Sequence, residues 1–297
     1  MRIRLPQGFS LVEMVITIVV LGIIAVTAGA FILPAVNAHR DLQRRAALVE
    51  AAESAIRRMS RDIRLSVPNS VRVTNALAVG NGFAIELIPT ADGGRYCTAG
   101  TADCDATGAL AIGAADSVFD ILGFFHNAAF IAASGGNAYR LVAGSTDSNL
   151  YTATGATAVI TPAGTITLSV NAGRHRVTLG AAHNFPTASP RQRVFVVEDA
   201  AAPVTYLCNF SAGTLTRYAG YKNGAAYSSS PNQPTDPAVL TGFGATGRLV
   251  ADNVSNCSVT SIEANVQTSG VVTLSLTLSN SGETVQLLNQ VQLDNSQ

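Results

Sequence analysis

Two features near the N terminus have residue types and a spacing that suggest chemistry. The first is Gly8, which lies at the junction between a short leader and the first residue of the apolar segment, Phe9. The second is Glu13, a carboxylate inside an apolar block. An ionised carboxylate in the hydrocarbon of a bilayer costs ~2.5–3.5 kcal/mol, so a residue of this kind is expected to have a function and a charged partner.

The apolar segment that follows is long enough to be a membrane-spanning helix. The run from Met14 to Ala38 carries no formal charge, and a helix needs ~20 apolar residues to cross a bilayer. Arg2 and Arg4 precede the run, and the positive-inside rule therefore predicts a cytoplasmic N terminus. The rest of the chain is then expected on the other side of the membrane.

The leader from Met1 to Gly8, the Gly8–Phe9 junction and Glu13 resemble the class III signal of type IV prepilins and pseudopilins. The resemblance implies that a prepilin peptidase cuts after Gly8 and N-methylates Phe9. Phe9 and Glu13 are four residues apart, and this spacing places them on one helix face. The resemblance also implies that Glu13 pairs with the terminal amine of a neighbouring subunit as a filament assembles.

Two other interpretations of the N terminus remain open. A secretory signal peptide has an apolar core of about 7–15 residues, and Ala28-Gly29-Ala30 could imitate its cleavage site. However, the apolar run here is longer and contains Glu13. A plain uncut membrane anchor explains the length of the run but neither Glu13 nor Gly8.

Composition restricts the function classes of the remaining chain. The 297 residues suffice for one large domain or two small ones beyond the anchor. The formal net charge is zero, so no global field attracts nucleic acid or acidic partners. Charged residues make up 13% of the chain, about half of the usual ~25%.

All four cysteines, Cys97, Cys104, Cys208 and Cys257, lie beyond the anchor. An even number of cysteines on an exported segment indicates two disulfides formed in an oxidising compartment. Three pairings are possible, and proximity in sequence favours Cys97–Cys104 and Cys208–Cys257. A zinc site remains an alternative, although it would be expected to have closer cysteine pairs.

The helix is predicted to continue beyond the membrane as an amphipathic segment. Pro34 is expected to kink or loosen it, and Pro68 is expected to end it near Leu65 or Ser66. Glu53 and Arg57 have the spacing of an intrahelical ion pair. An apolar stripe recurs at spacings of three and four, and it comprises Leu42, Ala46, Val49, Ala52, Ile56, Met59 and Ile63.

A cluster of arginines follows on the same predicted helix: Arg57, Arg58, Arg61 and Arg64. Some minor pilins bind DNA, so a nucleic-acid patch is one interpretation of the cluster. Glu53 and Asp62 are interspersed with the arginines, and this mixture favours a solvated helix face or salt bridges between subunits. We therefore expect no nucleic-acid partner.

From Ser70 onward the pattern predicts strands separated by loops rich in Gly, Ser and Asn. Hairpins are predicted around Gly80-Asn81-Gly82, Ser211-Ala212-Gly213 and Ser281-Gly282, with a bulge at Leu288. Residues 222–247 are predicted to be a loop without regular structure. The predicted strands lie at 71–79, 83–88, 118–125, 139–144, 156–160, 165–170, 175–180, 193–199, 203–210, 214–221, 271–280 and 283–293.

No constellation in the sequence indicates catalysis, so we expect neither an enzyme nor a cofactor. The four histidines are scattered, and neither an HExxH motif nor a nucleophile elbow nor a P-loop is present. Asp103 and Asp105 in the loop between Cys97 and Cys104 suggest calcium. However, two acids are too few for a site that needs six to eight oxygens, so no metal site is predicted.

The combined prediction is an α+β, pilin-like protein with a β-rich globular head on a long N-terminal helix. We divide the chain into a leader (1–8), a transmembrane helix half (9–38), an amphipathic helix half (39–66) and a head (67–297). The C-terminal hairpin, the segments 203–210 and 214–218, and Cys257 look like the large minor pilins of mannose-sensitive haemagglutinin (MSHA) pilus systems.

This resemblance implies a minor pilin, inserted once in the bacterial inner membrane with its N terminus in the cytoplasm and later carried in a pilus at the cell surface. An initiation or tip position, with a possible adhesive role, is expected. The implied partners are other pilin subunits, prepilin peptidase and the inner-membrane pilus assembly machinery. The alternatives are a minor pseudopilin of a type II secretion system and a membrane-anchored adhesin that does not polymerise.

Overall fold

The computed structural model describes residues 10–100, 104, 107–145, 148–151, 155–200, 203–221, 233–262 and 270–293. It shows an α+β protein in which a long N-terminal helix is followed by a β-rich head of antiparallel sheets, and this architecture confirms the predicted pilin-like fold class. The helices are α1 (Leu11–Arg64), α2 (Ala128–Ala132) and α3 (Pro237–Gly242), with a 3₁₀ turn at Ser148–Tyr151.

The strands, in chain order, are β1 (Arg72–Thr74), β2 (Gly82–Leu87), β3 (Asp92–Arg95), β4 (Asp116–Asp120), β5 (Tyr139–Ala143), β6 (Ile166–Asn171), β7 (Arg174–His183), β8 (Arg193–Glu198), β9 (Val204–Asn209), β10 (Thr214–Ala219), β11 (Thr246–Ala251), β12 (Val254–Ile262), β13 (Val271–Asn280) and β14 (Glu283–Gln292).

Helix α1 is continuous over 54 residues, which corresponds to about 80 Å at ~1.5 Å per residue. Pro34 lies inside the helix without ending it, although a proline supplies no N–H to the carbonyl one turn earlier. The helix ends at Arg64, and Leu65 caps it by donating its N–H to the carbonyl of Arg61. The predicted end of the helix is therefore confirmed.

Only the last third of α1 packs on the head. The predicted apolar stripe begins too early, because Leu42 and Ala46 are exposed and the buried face starts at Leu48. This face packs mainly against β13 and β14. Its buried members are Leu48, Ala52, Ala55, Ile56, Met59, Ser60 and Ile63.

Two sheets enclose the core beneath α1. One has five strands in the order β1-β2-β9-β10-β11, and the other has three strands in the order β12-β13-β14. Side chains from α1 and from strands of both sheets form one continuous buried cluster. The head therefore holds the helix through a shared core and not through a single sheet.

A second lobe is inserted between two neighbouring strands of the five-stranded sheet. Strands β2 and β9 pair directly, with Leu87 opposite Val204, and residues 88–203 lie between them in sequence. The inserted segment builds two three-stranded sheets, β3-β8-β5 and β4-β7-β6, around a core of its own. A third buried cluster joins the lobe to the end of α1 and includes Val67, Ile88 and Tyr151.

The two later hairpins are confirmed. Strands β9 and β10 pair around residues 210–213, and β13 and β14 pair around Ser281 and Gly282. Ser281 and Gly282 have positive φ values of 50° and 92°, as a two-residue hairpin turn requires. The predicted bulge is wrong, because the register runs without a shift and places Leu288 opposite Ser275 on the exposed face.

Other strand predictions differ in extent. Strands β1 and β2 pair as predicted, but Gly82 belongs to β2 and the connection is longer than a tight turn. The predicted strand at 156–160 is wrong: the backbone of these residues pairs only at two isolated bridges, Thr157 with Asn184 and Ile160 with Val142. The predicted strand 118–125 ends at Asp120. The segment 222–247 contains α3, which begins at a proline capped by Asp236, and the start of β11.

Candidate processing and assembly site

The predicted cleavage junction lies just before the described chain. Gly8 and Phe9 fall outside the described residues, and the helix begins directly after Ser10, which occupies the N-cap position. Glu13 lies in the first turn of α1. A carboxylate in this turn is favoured by the positive end of the helix dipole.

The first half of α1 is apolar and unpacked. Its most apolar window has a mean hydropathy of 2.7, and none of that window is buried inside the molecule. Length and composition therefore make α1 a candidate membrane span; among the described residues it is the only helix that meets both criteria. A membrane-spanning segment has to form its backbone hydrogen bonds internally, because the hydrocarbon contains no water to bond with them, and a continuous helix meets this requirement.

Glu13 differs from the other polar side chains of this segment. The hydroxyl of Thr17 donates to the carbonyl of Met14 at 2.9 Å, and the hydroxyl of Thr27 donates to the carbonyl of Ile23 at 2.9 Å. These hydroxyls need no external partner. Within the described part of the chain, Glu13 has neither a hydrogen bond nor an ion pair, so its carboxylate is available to a group from another chain.

A polar contact fixes α1 to the head beside the apolar core. The Tyr206 hydroxyl on β9 donates to Asp62 Oδ2 at 2.7 Å, and Arg217 Nε on β10 donates to the same oxygen at 2.8 Å. Burial and the nearby Asp62 carboxylate raise the pKa of the Tyr206 phenol. Tyr206 thus remains a donor at neutral pH, and Asp62 holds the helix against two strands.

Three arginines of the predicted cluster, Arg57, Arg58 and Arg61, line a groove next to this contact together with Arg217, whereas Arg64 does not line it. The groove has a volume of about 710 Å³ and also contains Glu50, Glu53 and Asp62. Arg57 pairs with Glu53 at 2.6 Å, as the spacing predicts. The four cationic side chains that line the groove therefore face three acids, a mixed-charge surface suited to contacts with another protein.

Both disulfides that sequence proximity favours are present. Cys208–Cys257 connects β9 to β12, and hence the five-stranded sheet to the three-stranded sheet beneath α1. Cys97–Cys104 closes a small loop in the second lobe. Cys208 and Cys257 are both buried in the core that contacts α1.

A buried ion pair that the sequence analysis missed lies behind the five-stranded sheet. Glu86 is completely buried and pairs with Arg72 Nε at 2.5 Å. The Tyr221 hydroxyl donates to Glu86 at 2.7 Å, and the Arg72 guanidinium lies 3.9 Å from the centre of the Tyr151 ring. Burial raises the pKa of Glu86, and Arg72 partly opposes this effect. The pair depends on the register that places Arg72 opposite Glu86, and nothing in the sequence indicated that register.

The described residues contain no cluster of three or more His, Cys, Asp or Glu side chains that could hold a metal ion. Asp103 and Asp105, the residues behind the calcium suggestion, lie outside the described part of the chain. His175 and His183 each form a hydrogen bond with the backbone of the second lobe. His175 Nδ1 accepts from the Phe125 N–H, and His183 Nε2 contacts the Ala158 carbonyl at 2.8 Å. Burial lowers the pKa of His183.

Comparison with known proteins bears on the N terminus. Residues 4–29 match the family model described as the prokaryotic N-terminal methylation motif. The matched segment contains the Gly8–Phe9 junction and Glu13 and ends within α1. No curated protein and no solved structure matches the chain. The motif indicates a type IV pilin-like or pseudopilin-like substrate of prepilin peptidase, and together with the apolar helix it fits anchoring in the inner membrane.

Proposed function

We propose that this chain is a minor subunit of a type IV pilus, cut between Gly8 and Phe9 by prepilin peptidase and N-methylated on Phe9. The methylation motif at residues 4–29 carries the proposal, because it leads directly into an exposed apolar helix that is fixed to a large head. The subunit waits in the inner membrane with its N terminus in the cytoplasm. It then enters the filament as a structural component without catalytic activity.

Glu13 is the assembly residue in this proposal. Cleavage after Gly8 creates a cationic amine on Phe9, and the Glu13 carboxylate has no partner among the described residues. Pairing the two groups between subunits neutralises both charges in hydrocarbon, where each charge alone costs ~2.5–3.5 kcal/mol or more. The pairing also sets the axial register of neighbouring subunits.

The size of the head supports a position at the end of the filament. The inserted lobe, residues 88–203, adds a second core beside the one that holds α1. Bulk of this kind is hard to repeat around a filament, so initiation or tip placement is favoured over the shaft. The finer proposal is a role like that of the large minor pilins of MSHA systems, with the second lobe displayed for adhesion.

Mass spectrometry of the mature N terminus tests the processing step. The expected product begins at N-methylated Phe9. A chain that keeps Met1 while the pili of the same cells form normally contradicts the proposal. A chain that begins near Phe31 instead indicates cleavage of a secretory signal after Ala30.

Substitution of Glu13 tests the assembly step. Glu13→Ala is expected to remove the subunit from sheared filaments while membrane insertion and cleavage remain intact, because only the intersubunit ion pair is lost. Thr17→Val is the matched control, since it lies one turn later and its hydroxyl bonds within its own helix. Equal incorporation of the Glu13→Ala subunit and the parent subunit contradicts an assembly role.

A minor pseudopilin of a type II secretion system carries the same N-terminal motif and is the second candidate. Genes for pilus assembly beside this one favour the pilus, and genes for a secretin and a secretion ATPase favour secretion. A membrane-anchored adhesin that never polymerises would tolerate Glu13→Ala without any change in its surface display.

A further inference from the structure

Two arginines face each other across neighbouring strands of the second lobe. Arg95 at the end of β3 lies directly opposite Arg193 at the start of β8. Directly opposite residues have side chains on the same face about 4.5–5.5 Å apart at Cβ, and like charges in this position are destabilising. Arg191 lies two residues before Arg193, so a third cation is added to the same end of the sheet.

These arginines line a groove of about 430 Å³ together with Pro190 and Gln192. None of the described residues that line the groove is acidic. Within the described part of the chain, no carboxylate forms an ion pair with any of the three. Arg191 is exposed, whereas Arg193 is half-buried and therefore less screened by water.

A second arginine pair in the head shows how such repulsion is normally relieved. Arg217 on β10 lies opposite Arg248 on β11. There, Asp62 accepts a hydrogen bond from Arg217 at 2.8 Å and supplies the missing negative charge. The groove in the second lobe has the same cationic register without a described carboxylate in that role.

The turn that carries the groove is held in one shape. The Gln192 N–H donates to the Ser189 carbonyl at 2.9 Å, the Arg193 N–H donates to Ser189 Oγ at 3.0 Å, and the Ser189 N–H donates to the buried Tyr96 hydroxyl at 3.1 Å. Gln192 has a φ of 57°, a left-handed conformation that is uncommon for a residue with a side chain. Its amide oxygen accepts from Arg95 Nη2 at 3.2 Å.

We propose that Arg95, Arg191 and Arg193 form a binding site for a tetrahedral oxyanion, a sulfate or phosphate group, seated over the turn at residues 189–193. Guanidinium groups bind such anions through paired N–H donors. An anion between Arg95 and Arg193 converts their repulsion into two attractions. None of these residues lies on α1, so the proposal does not rest on the assembly role of Glu13.

Thermal unfolding of the full-length protein in detergent micelles tests the site. Sodium sulfate and inorganic phosphate are compared with sodium chloride at equal ionic strength. We expect about 20 mM sulfate to raise the Tm of the parent by ~2–4 °C above its value in chloride. The triple variant Arg95→Gln, Arg191→Gln, Arg193→Gln is expected to lose this difference and to be more stable than the parent in dilute chloride.

Arg248→Gln is the matched control, because it also removes an exposed arginine from a cross-strand arginine pair. It is expected to respond to sulfate as the parent does, and the comparison removes the general stabilising effect of sulfate. If the triple variant fails to fold, the single variant Arg191→Gln takes its place. We expect titration calorimetry to show that this variant binds sulfate about tenfold more weakly than the parent does. Equal responses of the parent and of the folded variant to every anion tested, the sulfated tetrasaccharide included, overturn the proposal.

A heparin tetrasaccharide identifies the source of the anion. Binding of free sulfate or phosphate with loss in the variant supports a site for the free ion. Binding of the tetrasaccharide alone, again with loss in the variant, supports a sulfate group carried on a sugar. Failure of all three probes to bind the parent overturns the proposal.

Discussion

The disulfide between the two sheets beneath α1 is expected to contribute more stability than the one in the second lobe. Cys208 and Cys257 are 49 residues apart, and Cys97 and Cys104 are 7 apart. The loop-entropy relation gives about 4 kcal/mol for the longer loop and about 2.4 kcal/mol for the shorter one. Replacing each pair by alanine should therefore lower the free energy of unfolding by different amounts.

The longer bridge has a second contribution from burial. Cys208 is fully buried and Cys257 is 5% exposed, and both belong to the core that contacts α1. Truncation to alanine leaves a cavity there, which adds to the loss. We expect the Cys208→Ala, Cys257→Ala variant to lose the attachment of α1 to the head at lower urea concentrations than the parent.

Urea unfolding of the full chain in micelles, followed by tyrosine fluorescence, measures both losses. The Cys97→Ala, Cys104→Ala variant is the matched control for removing a bridge. Equal losses for the two variants, or a larger loss for the control, would refute the reasoning that the sheet-to-sheet bridge holds the core under the helix.

The remaining predictions concern the same head. Ile63→Ala should lower the free energy of unfolding by about 2–5 kcal/mol, because Ile63 is buried between α1 and the sheets. Leu42→Ala on the exposed part of α1 should change it by less than about 0.5 kcal/mol. Urea unfolding of the two variants measures the difference. Tyr206→Phe should cost about 1.5–3 kcal/mol, since it removes a donor to the charged Asp62; a loss no larger than that of Leu42→Ala would contradict a structural role for the contact. Burial raises the pKa of Glu86 above its ordinary value of 4.5, so its contribution to stability is complete below about pH 4.5 and falls as pH rises through the folded-state pKa. Urea unfolding between pH 4 and 7 should therefore show that the stability of the parent relative to Glu86→Gln falls with rising pH, and a constant difference would contradict this assignment.

The fold class was predicted from the N-terminal resemblance together with helix and strand patterns, whereas local pattern alone was sufficient for the helix end and the C-terminal hairpin. Pro68 restricts the residue before it, and the observed helix ends at Arg64, as this restriction leads one to expect. Ser281 and Gly282 adopt the positive φ values of a two-residue turn. Each of these features depends on residues that are neighbours in sequence, so no tertiary information was needed.

The bulge at Leu288 was predicted from an apparent break in the alternation of apolar residues. The structure keeps the register and instead exposes Leu288. The inward position beside it is taken by Asn289, whose Oδ1 lies 3.4 Å from the Ser60 hydroxyl on α1. A polar residue was acceptable on the inner face because a polar partner faced it, and sequence pattern alone does not show such a partner.

The start of the buried stripe on α1 was equally beyond local pattern. Leu42 fits the spacing of three and four as well as Ile63 does, but the head reaches only as far as Leu48. Where burial begins is decided by the extent of β13 and β14. The same limit applies to the Glu86–Arg72 pair, which depends on the register of β1 with β2.

The path of the chain between β2 and β9 also accounts for the size of this head. Because Leu87 and Val204 are register partners, a tight turn would join them as an ordinary hairpin. The intervening module therefore leaves and re-enters the five-stranded sheet at one place. A change in its length or composition leaves the strand order of that sheet intact, so the outward surface can differ while the stalk stays the same.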